Sequence, residues 1–361
     1  MMKEKRVTAK DVAKHAGVSP ATVSMILNGS GDGRFPEKTR LRVLDACKEL
    51  GYTKSGSRKA AAMGDRVLAA ITPSFSNLYY VHLVEAMERR AKELGYCLLT
   101  FDTFWEMDQE NRIMQVCNSF PFAGILFVYP SENEVLLQQT VWNKPIVYVY
   151  DKNLHTSANV LGVDNVRAGE MVAEYLLGLG HERIVFLTST LETKQVIRIR
   201  RFQGLRNAYA ANGYDPDRSV LLCSPDTENL SVKSKVEGYE LGYVLMKRLI
   251  ERQEDVTAVV AVNDMMAFGA MDAISDAGKR VPQDYSVIGY DNVSSSGYRG
   301  VSLTSVECYS AQTGREAVDI LVRKIESGSE LSLPEEDPRG VTRVEYFPRI
   351  IQRKTTGPRR K

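Results

Sequence analysis

Two short helical patterns meet across Gly17, and that junction constrains the fold more than any other stretch of the chain. Thr8-Ala9-Lys10-Asp11 has the form of a capping box, which opens a helix by giving its first N–H groups side-chain acceptors. Val12, Ala13 and Ala16 recur at helical spacing and supply one apolar face. Gly17 ends that helix, because the tight turn needs a residue that tolerates positive φ. Ser19 caps a second helix and Pro20 lies in its first turn, where no amide hydrogen bond is lost. Val23, Ile26 and Leu27 form its apolar face, and Asn28-Gly29 closes it. Two such helices joined by a turn with glycine predict a helix-turn-helix. The outward side of the second helix carries Ser19, Pro20, Ala21, Thr22, Ser24, Met25 and Asn28. Side chains this short let a helix N-terminus approach phosphates and base edges in a major groove. The alternative, a helical hairpin within a core, fits poorly with a basic, N-terminal setting. A third helix follows from Pro36, with Leu41, Val43, Leu44, Cys47 and Leu50 expected to face the first two and Gly51-Tyr52 to close it.

Charge supports a polyanionic partner. Residues 1–64 hold thirteen Lys/Arg against six Asp/Glu, and residues 339–361 hold eight against one. Each end therefore carries about +7 and the stretch between them about −12, within a net charge of +2. A basic end is an electrostatic footprint for nucleic acid. The second one, Lys354 to Lys361, is expected to be a solvated, fraying tail. A chain of 361 residues has room for two or three domains. No apolar run approaches the ~20 residues of a membrane helix, and the N-terminus lacks the apolar core of a signal peptide, so a cytoplasmic location is expected. The five cysteines are scattered and the four histidines lack ligand spacing, so reduced thiols and neither metal nor cofactor are expected.

From Arg66 onward short apolar runs alternate with amphipathic stretches, the pattern of parallel sheets covered on both faces. Val67–Ile71, Cys97–Phe101, Gly124–Val128 and Ile146–Tyr150 are expected as strands of a first series, with helices over Leu78–Leu94, Gln109–Ser119 and Glu132–Val141. Val160–Val163, Arg183–Leu187, Val220–Cys223, Ala258–Val262 and Ser286–Ile288 form a second series, with helices near 165–179, 198–212, 236–251 and 265–277. Two series in one chain predict two doubly wound subdomains.

Val7-Thr8, Asp11-Val12-Ala13, Ala16-Gly17-Val18-Ser19, Thr22-Val23-Ser24 and Leu27-Asn28-Gly29 together resemble the DNA-binding headpiece of the LacI family of bacterial regulators, and further similarity runs nearly to the C-terminus. The resemblance implies an α plus α/β chain: a three-helix headpiece over 1–52, a hinge over 53–64, and a periplasmic-binding-protein-like effector and dimerisation domain over 65–361. It places about 65–155 and 293–327 in one subdomain and about 156–292 and 328–361 in the other, with three crossings between them. Ser302–Val306 and the helix Gln312–Ile325 should return to the first subdomain, and Val344–Ile351 should end in the second. The implied partners are double-stranded operator DNA, a second copy of the chain and a small-molecule effector.

In DNA binding, Thr8, the outward residues of the second helix, and Arg58, Lys59 and Ala61 of the hinge are the candidates. Ala61 stands where the family inserts a leucine into a base step, and Met25 where many relatives carry a guanine-reading arginine.

Ligands of open α/β sheets bind beyond the carboxyl ends of strands. Phe75, Tyr79, Tyr80, Asp151, Asn263 and Asp291 fall there, and Arg201 matches the family's effector-contacting arginine. Flat aromatic faces with fixed donors and acceptors suit a sugar ring. A phosphorylated sugar would use Arg201 with Arg200 or Lys194, and a nucleobase would stack on the aromatics. The expected function is a ligand-controlled repressor and not an enzyme. A protein or nucleoside corepressor is the alternative; a solute-binding protein or a sugar-processing enzyme is a remote one.

Overall fold

The structure is a computed structural model describing residues 7–27, 35–50, 66–131, 144–151, 158–191, 196–225, 238–326 and 342–359. Its N-terminal unit holds α1 (Ala9–Ala16), α2 (Pro20–Leu27) and α3 (Glu37–Glu49). The Thr8 N–H donates to the Asp11 carboxylate at 2.7 Å, and the Thr8 hydroxyl turns onto the same oxygen. Gly17 adopts φ 64°, ψ 38°, and its N–H donates to the Ala13 carbonyl. Ser19 Oγ accepts from the Thr22 N–H at 3.1 Å, so it caps α2. The core is small: Val12, Ala13, Ala16, Val23, Ile26, Val43 and Ala46 are buried. Leu41 and Leu44 correct the expectation for the third helix. They are 55% and 44% exposed, because Val43, Ala46 and Cys47 define the inward stripe of α3.

The larger unit contains two six-stranded sheets. In the first, β1 (Val67–Thr72), β2 (Cys97–Asp102), β3 (Gly124–Phe127), β4 (Ile146–Val149), β5 (Asn159–Val163) and β11 (Arg343–Tyr346) lie in the order β11-β5-β4-β3-β1-β2, all parallel. In the second, β6 (Ile184–Leu187), β7 (Val220–Cys223), β8 (Ala258–Ala261), β9 (Ser286–Asp291), β10 (Thr304–Glu307) and β12 (Arg349–Ile351) lie in the order β12-β10-β9-β8-β6-β7, with only β12 antiparallel. Each sheet reverses strand order once, between β1 and β3 and between β6 and β8. In open sheets of this kind, ligand crevices form beyond the carboxyl ends at such a reversal. The inner strands are buried along their whole length, as strands covered on both faces require.

The helices are α4 (Leu78–Glu93), α5 (Met107–Ser119), α6 (Asn165–Gly178), α7 (Val196–Ala211), the four-residue α8 (Pro216–Ser219), α9 (Tyr239–Glu251), α10 (Asp264–Asp276) and α11 (Ser310–Glu326). Strand-end side chains cap several of them: Asn77 Oδ1 accepts from the Tyr79 N–H, Asp164 Oδ1 from Arg167, and Asn263 Oδ1 from Met266. Among the described residues no helix is long and apolar enough to cross a membrane.

Sheet membership departs from the expected halves in three places. Val160–Val163 pairs with β4, so it closes the first sheet instead of opening the second. The strand at 304–307 pairs with β9 and stays in the second sheet; the return to the first is made by α11, which packs on α4. Residues 344–351 are two strands, broken at Phe347-Pro348, with β11 in the first sheet and β12 in the second. Apolar runs of this length specify a buried strand and not which neighbour it pairs with. The chain therefore passes between the sheets after β5, after β10 and after β11.

The C-terminal segment is also a correction. As far as Arg359 it is a strap laid on the second sheet, not a frayed tail. Thr355 and Thr356 are buried, Val287 donates to the Thr355 carbonyl at 2.7 Å, and Gly357 exchanges hydrogen bonds with the Ser286 hydroxyl. His181 pins it from beneath. Its Nε2 donates to the Gly357 carbonyl at 3.0 Å and its Nδ1 meets the Thr257 hydroxyl at 2.8 Å. The expected helix over Glu132–Val141, the hinge 53–64, and Asn28, Arg58, Lys59 and Ala61 lie outside the described residues.

Candidate functional site

The headpiece leaves one side of α2 exposed. Ser19, Pro20, Ala21 and Ser24 are exposed, and Thr22 and Met25 are half-buried. Ser19 Oγ lies 2.9 Å from Thr22 Oγ1, so the two hydroxyls share one patch at the helix N-terminus, where the dipole favours phosphate. Thr8 stands at the α1 N-terminus with its side chain committed to Asp11. His15 Nε2 and Glu49 Oε2, 2.6 Å apart, tie α1 to α3 on the outside.

In the larger unit the second site is built around Arg201 on α7. Gly204, three residues on, sets how α7 lies on α6: a Cβ there would sit 2.0 Å from the Val166 carbonyl oxygen. That close approach brings Arg201, 7% exposed, among buried groups. Its Nε donates to Asn165 Oδ1 at 3.1 Å, Nη1 to the Val262 carbonyl at 2.6 Å, and Nη2 approaches Cys308 Sγ at 3.6 Å and Asp291 Oδ1 at 3.9 Å. Its guanidinium lies 4.2 Å from the centre of the Tyr290 ring, within cation–π range.

Asp291 ends β9 with φ 103°, a left-handed conformation that costs a non-glycine residue ~1–3 kcal/mol and clusters at functional sites. Burial pushes its carboxyl up to about 8 against the pull of Arg201, so near neutral pH it is mostly the protonated acid. Burial likewise pushes the Cys308 thiol up to about 12 and the Tyr290 phenol well above its usual range. Asn77 reaches Asp291 from the first sheet's side, and Tyr79 packs beside Asp291, Cys308 and Arg201. Asp151, at the end of β4, lies 3.5 Å from both Arg200 Nε and Asn165 Nδ2.

Of the sequence candidates, Asp151, Arg201, Asp291 and Tyr79 thus meet in one cluster, and Tyr80 stands edge-on to Tyr79 at 5.3 Å. Asn263 adjoins it through Val262, with its carbonyl oxygen spent on capping α10. Phe75 belongs to a second group: it is 40% exposed, with its N–H on Asp102 at 3.2 Å. Asp264 is a structural hub, accepting from Ser296, Ser305 and the Val293 N–H. Asn165 and Cys308 were not foreseen. Each lies where the chain crosses between sheets, just after β5 and β10, and correct sheet membership would have pointed to both.

A description of bacterial regulatory proteins of the lacI family matches residues 8–55, and one of a periplasmic binding protein-like domain matches residues 173–356. The chain is 31% identical over 311 residues to the HTH-type transcriptional regulator DegA of Bacillus subtilis (strain 168), across 83% of this chain and 86% of that one. It is 29% identical over 357 residues to the HTH-type transcriptional repressor PurR of Mannheimia succiniciproducens, across 96% and 98% of the two chains. The solved complex of the transcriptional regulator CelR with cellobiose shares the fold, with a TM-score of 0.66 at 24% identity over 97% of this chain and 100% of that one. A helix-turn-helix headpiece, a two-sheet body and relatives matching along nearly the whole length agree: the chain belongs to the LacI family of DNA-binding transcriptional regulators, and is not an enzyme.

Proposed function

We propose that this protein is a cytoplasmic repressor that binds a partly palindromic operator as a homodimer, its operator affinity set by a sugar-like ligand held where the two sheets' carboxyl ends meet. Ser19 and Thr22, with Thr8 and Asn28 and the basic Arg58 and Lys59, would contact phosphates and fix register. Pro20, Ala21, Ser24 and Met25 would meet base edges, and Ala61 would occupy the hinge position nearest the minor groove. A second copy has a surface to cover: β2 is an edge strand with Cys97 and Leu99 exposed, and Phe104 and Met107 beyond it are 57% and 47% exposed.

The observation that carries the ligand reading is the set of bonds made by Arg201. One guanidinium touches Asn165 at the first crossing, Cys308 at the second, and the ends of β8 and β9. A hydroxylated ligand taking up those donors and the Asp151 and Asp291 carboxyls would change what ties the two halves together. Phe75, Tyr79, Tyr80 and Asn263 would wall it. Ligand and operator affinities would then change reciprocally.

The test is selection of binding sites from random duplex DNA by the full-length protein, with and without pooled sugars. A two-fold symmetric site whose enrichment changes with one sugar pool is the expected result. An asymmetric site would remove the homodimer. A site indifferent to sugars but sensitive to nucleobases would transfer the cleft to a corepressor stacked on Tyr79 and Tyr80.

A further inference from the structure

Two consecutive residues where β9 ends, Asp291 and Asn292, are left-handed, with φ of 103° and 50°, and neither is glycine. A Cβ disfavours that conformation, and a run of two persists only where the surroundings over-determine it. Asparagine and aspartate tolerate it best, because their short polar side chains find partners nearby.

Asn292 commits its N–H and both atoms of its amide. The N–H donates to Ser305 Oγ at 3.0 Å, Nδ2 donates to Glu307 Oε2 at 2.8 Å, and Oδ1 accepts from Arg353 Nη2 at 2.6 Å. The amide fits only this way round, since a guanidinium is donor-only and a carboxylate acceptor-only. The partners are themselves held. Ser305 Oγ donates to Asp264 Oδ1 at 2.6 Å, and Glu307 Oε1 accepts from the Tyr309 N–H at 2.8 Å.

Ser305 and Glu307 belong to β10, the neighbouring strand. Arg353 does not: it lies two residues beyond β12, in the C-terminal strap. Its N–H donates to Thr304 Oγ1 at 3.0 Å and its Nη1 to the Leu303 carbonyl at 2.6 Å, so the two arms of its fork bridge Leu303 and Asn292. A lysine has no planar fork with which to bridge two acceptors. These bonds go to groups outside the Arg201 cluster. They are also separate from the hold of His181 on Gly357, four residues further along the strap.

The peptide between Asp291 and Asn292 turns with both residues. Three bonds on Asn292 therefore set the direction in which the Asp291 carboxyl leaves the strand, toward Arg201 Nη2 at 3.9 Å. We infer that Arg353 is a positioning residue of the ligand site: through Asn292, the strap holds the left-handed turn that aims Asp291 at Arg201. The inference rests on the reading of Asp291 as a ligand group.

Two measurements test it, and the first needs no ligand. A crystal structure of full-length Arg353→Met, compared with one of the unsubstituted protein, should show residue 292 out of the left-handed region and Asp291 withdrawn from Arg201. An unchanged turn overturns the inference whatever the protein binds. The second is calorimetric titration of the same proteins with a panel of pentoses, hexoses and disaccharides. Arg353→Met and Asn292→Ala should each weaken the bound sugar at least tenfold, and Arg353→Lys by less. The double variant should bind within threefold of Asn292→Ala alone, because Arg353 then has nothing in the turn left to hold. His181→Gln, which loosens the strap at Gly357, separates positioning from stability: it should unfold more easily yet bind within threefold of the unsubstituted protein. Losses that multiply in the double variant, or that His181→Gln matches, make Arg353 a stabilising contact only and overturn the inference. Arg353→Lys and Asn292→Ala carry both measurements if the methionine variant folds poorly. If the unsubstituted protein binds no sugar and the turn still shifts in the variant, the sugar reading falls and the positioning of Asp291 stands.

Discussion

The two proposed recognition sites are built in opposite ways. The α2 patch comes from six of the seven residues Ser19 to Met25, all but the buried Val23, lies largely in the open, and rests on seven small buried side chains. The Arg201 cluster draws on Tyr79, Asp151, Asn165, Asp291 and Cys308, spread over more than two hundred residues, and nearly all of it is buried. A site that reads a polyanion from outside needs exposed caps and a helix end, which local sequence provides. A site that couples a ligand to a change of shape needs charges held out of water, and only the assembled sheets provide that.

The sharpest way to break this contrast is Arg201→Ala. Removing the buried guanidinium strands its two hydrogen-bonded acceptors, the Val262 carbonyl and Asn165 Oδ1, at about 1–3 kcal/mol each. Denaturant unfolding should show the larger unit lose that much, and the operator response to ligand should vanish. An unchanged midpoint would mean that the cluster is not what ties the crossings. Gly204→Ala should follow closely. A Cβ at 2.0 Å from backbone oxygen forces α6 and α7 apart, at or above the upper end of the ~1–3 kcal/mol of overpacking, and thermal unfolding would measure it.

What the sequence disclosed follows the same division. The headpiece elements were readable because their causes are local: Gly17, Ser19 and the spacing of Val12, Ala13 and Ala16. The strands of the body were readable as strands, since Val, Ile and Leu runs bounded by polar residues need buried pairing. Their partners were not. Val160–Val163 fits either sheet by composition, and its placement is decided by pairing with Ile146–Val149. Asn165 and Cys308 were hidden for that reason. The strap at Thr355-Thr356 was hidden by its charged neighbours, which suggest solvent while the two threonines bond inward.

Smaller effects test the exposed site. Met25→Arg places a bidentate donor at the position proposed to meet base edges, where the side chain is now apolar. The preferred base at one position per half-site should shift by ~1–3 kcal/mol, read by repeating the site selection. An unchanged motif would show that residue 25 does not reach base edges. Gly17→Ala meets no atom within 4 Å, unlike Gly204→Ala, so only its φ of 64° resists the change. The expected cost is ~1–2 kcal/mol, confined to the headpiece. A loss as large as that from Gly204→Ala would mean that turn geometry limits the headpiece more than its core does.

The smallest effect is the pH response of His181. Burial lowers its pKa, with Arg359 opposing protonation further. Its Nε2 proton goes to the Gly357 carbonyl, so Nδ1 must accept from the Thr257 hydroxyl, and a second ring proton would turn that acceptor into a donor. The folded protein therefore binds fewer protons than the unfolded chain just below pH ~6.5, the usual histidine value. The stabilisation is fully present above that pH and is lost as pH falls through the lowered folded value, by at most about 1.4 kcal/mol per unit. Asp291, whose carboxyl is pushed up to about 8, and Asp264, pushed up to about 6, add stability as pH falls over the same range, so the histidine slope is read as the difference between wild type and His181→Gln followed from pH 7.5 to 5. Because the ring holds the strap and not the cleft, ligand affinity should be far less sensitive to the substitution than stability is. Equal loss of both would place His181 in the mechanism of the ligand site.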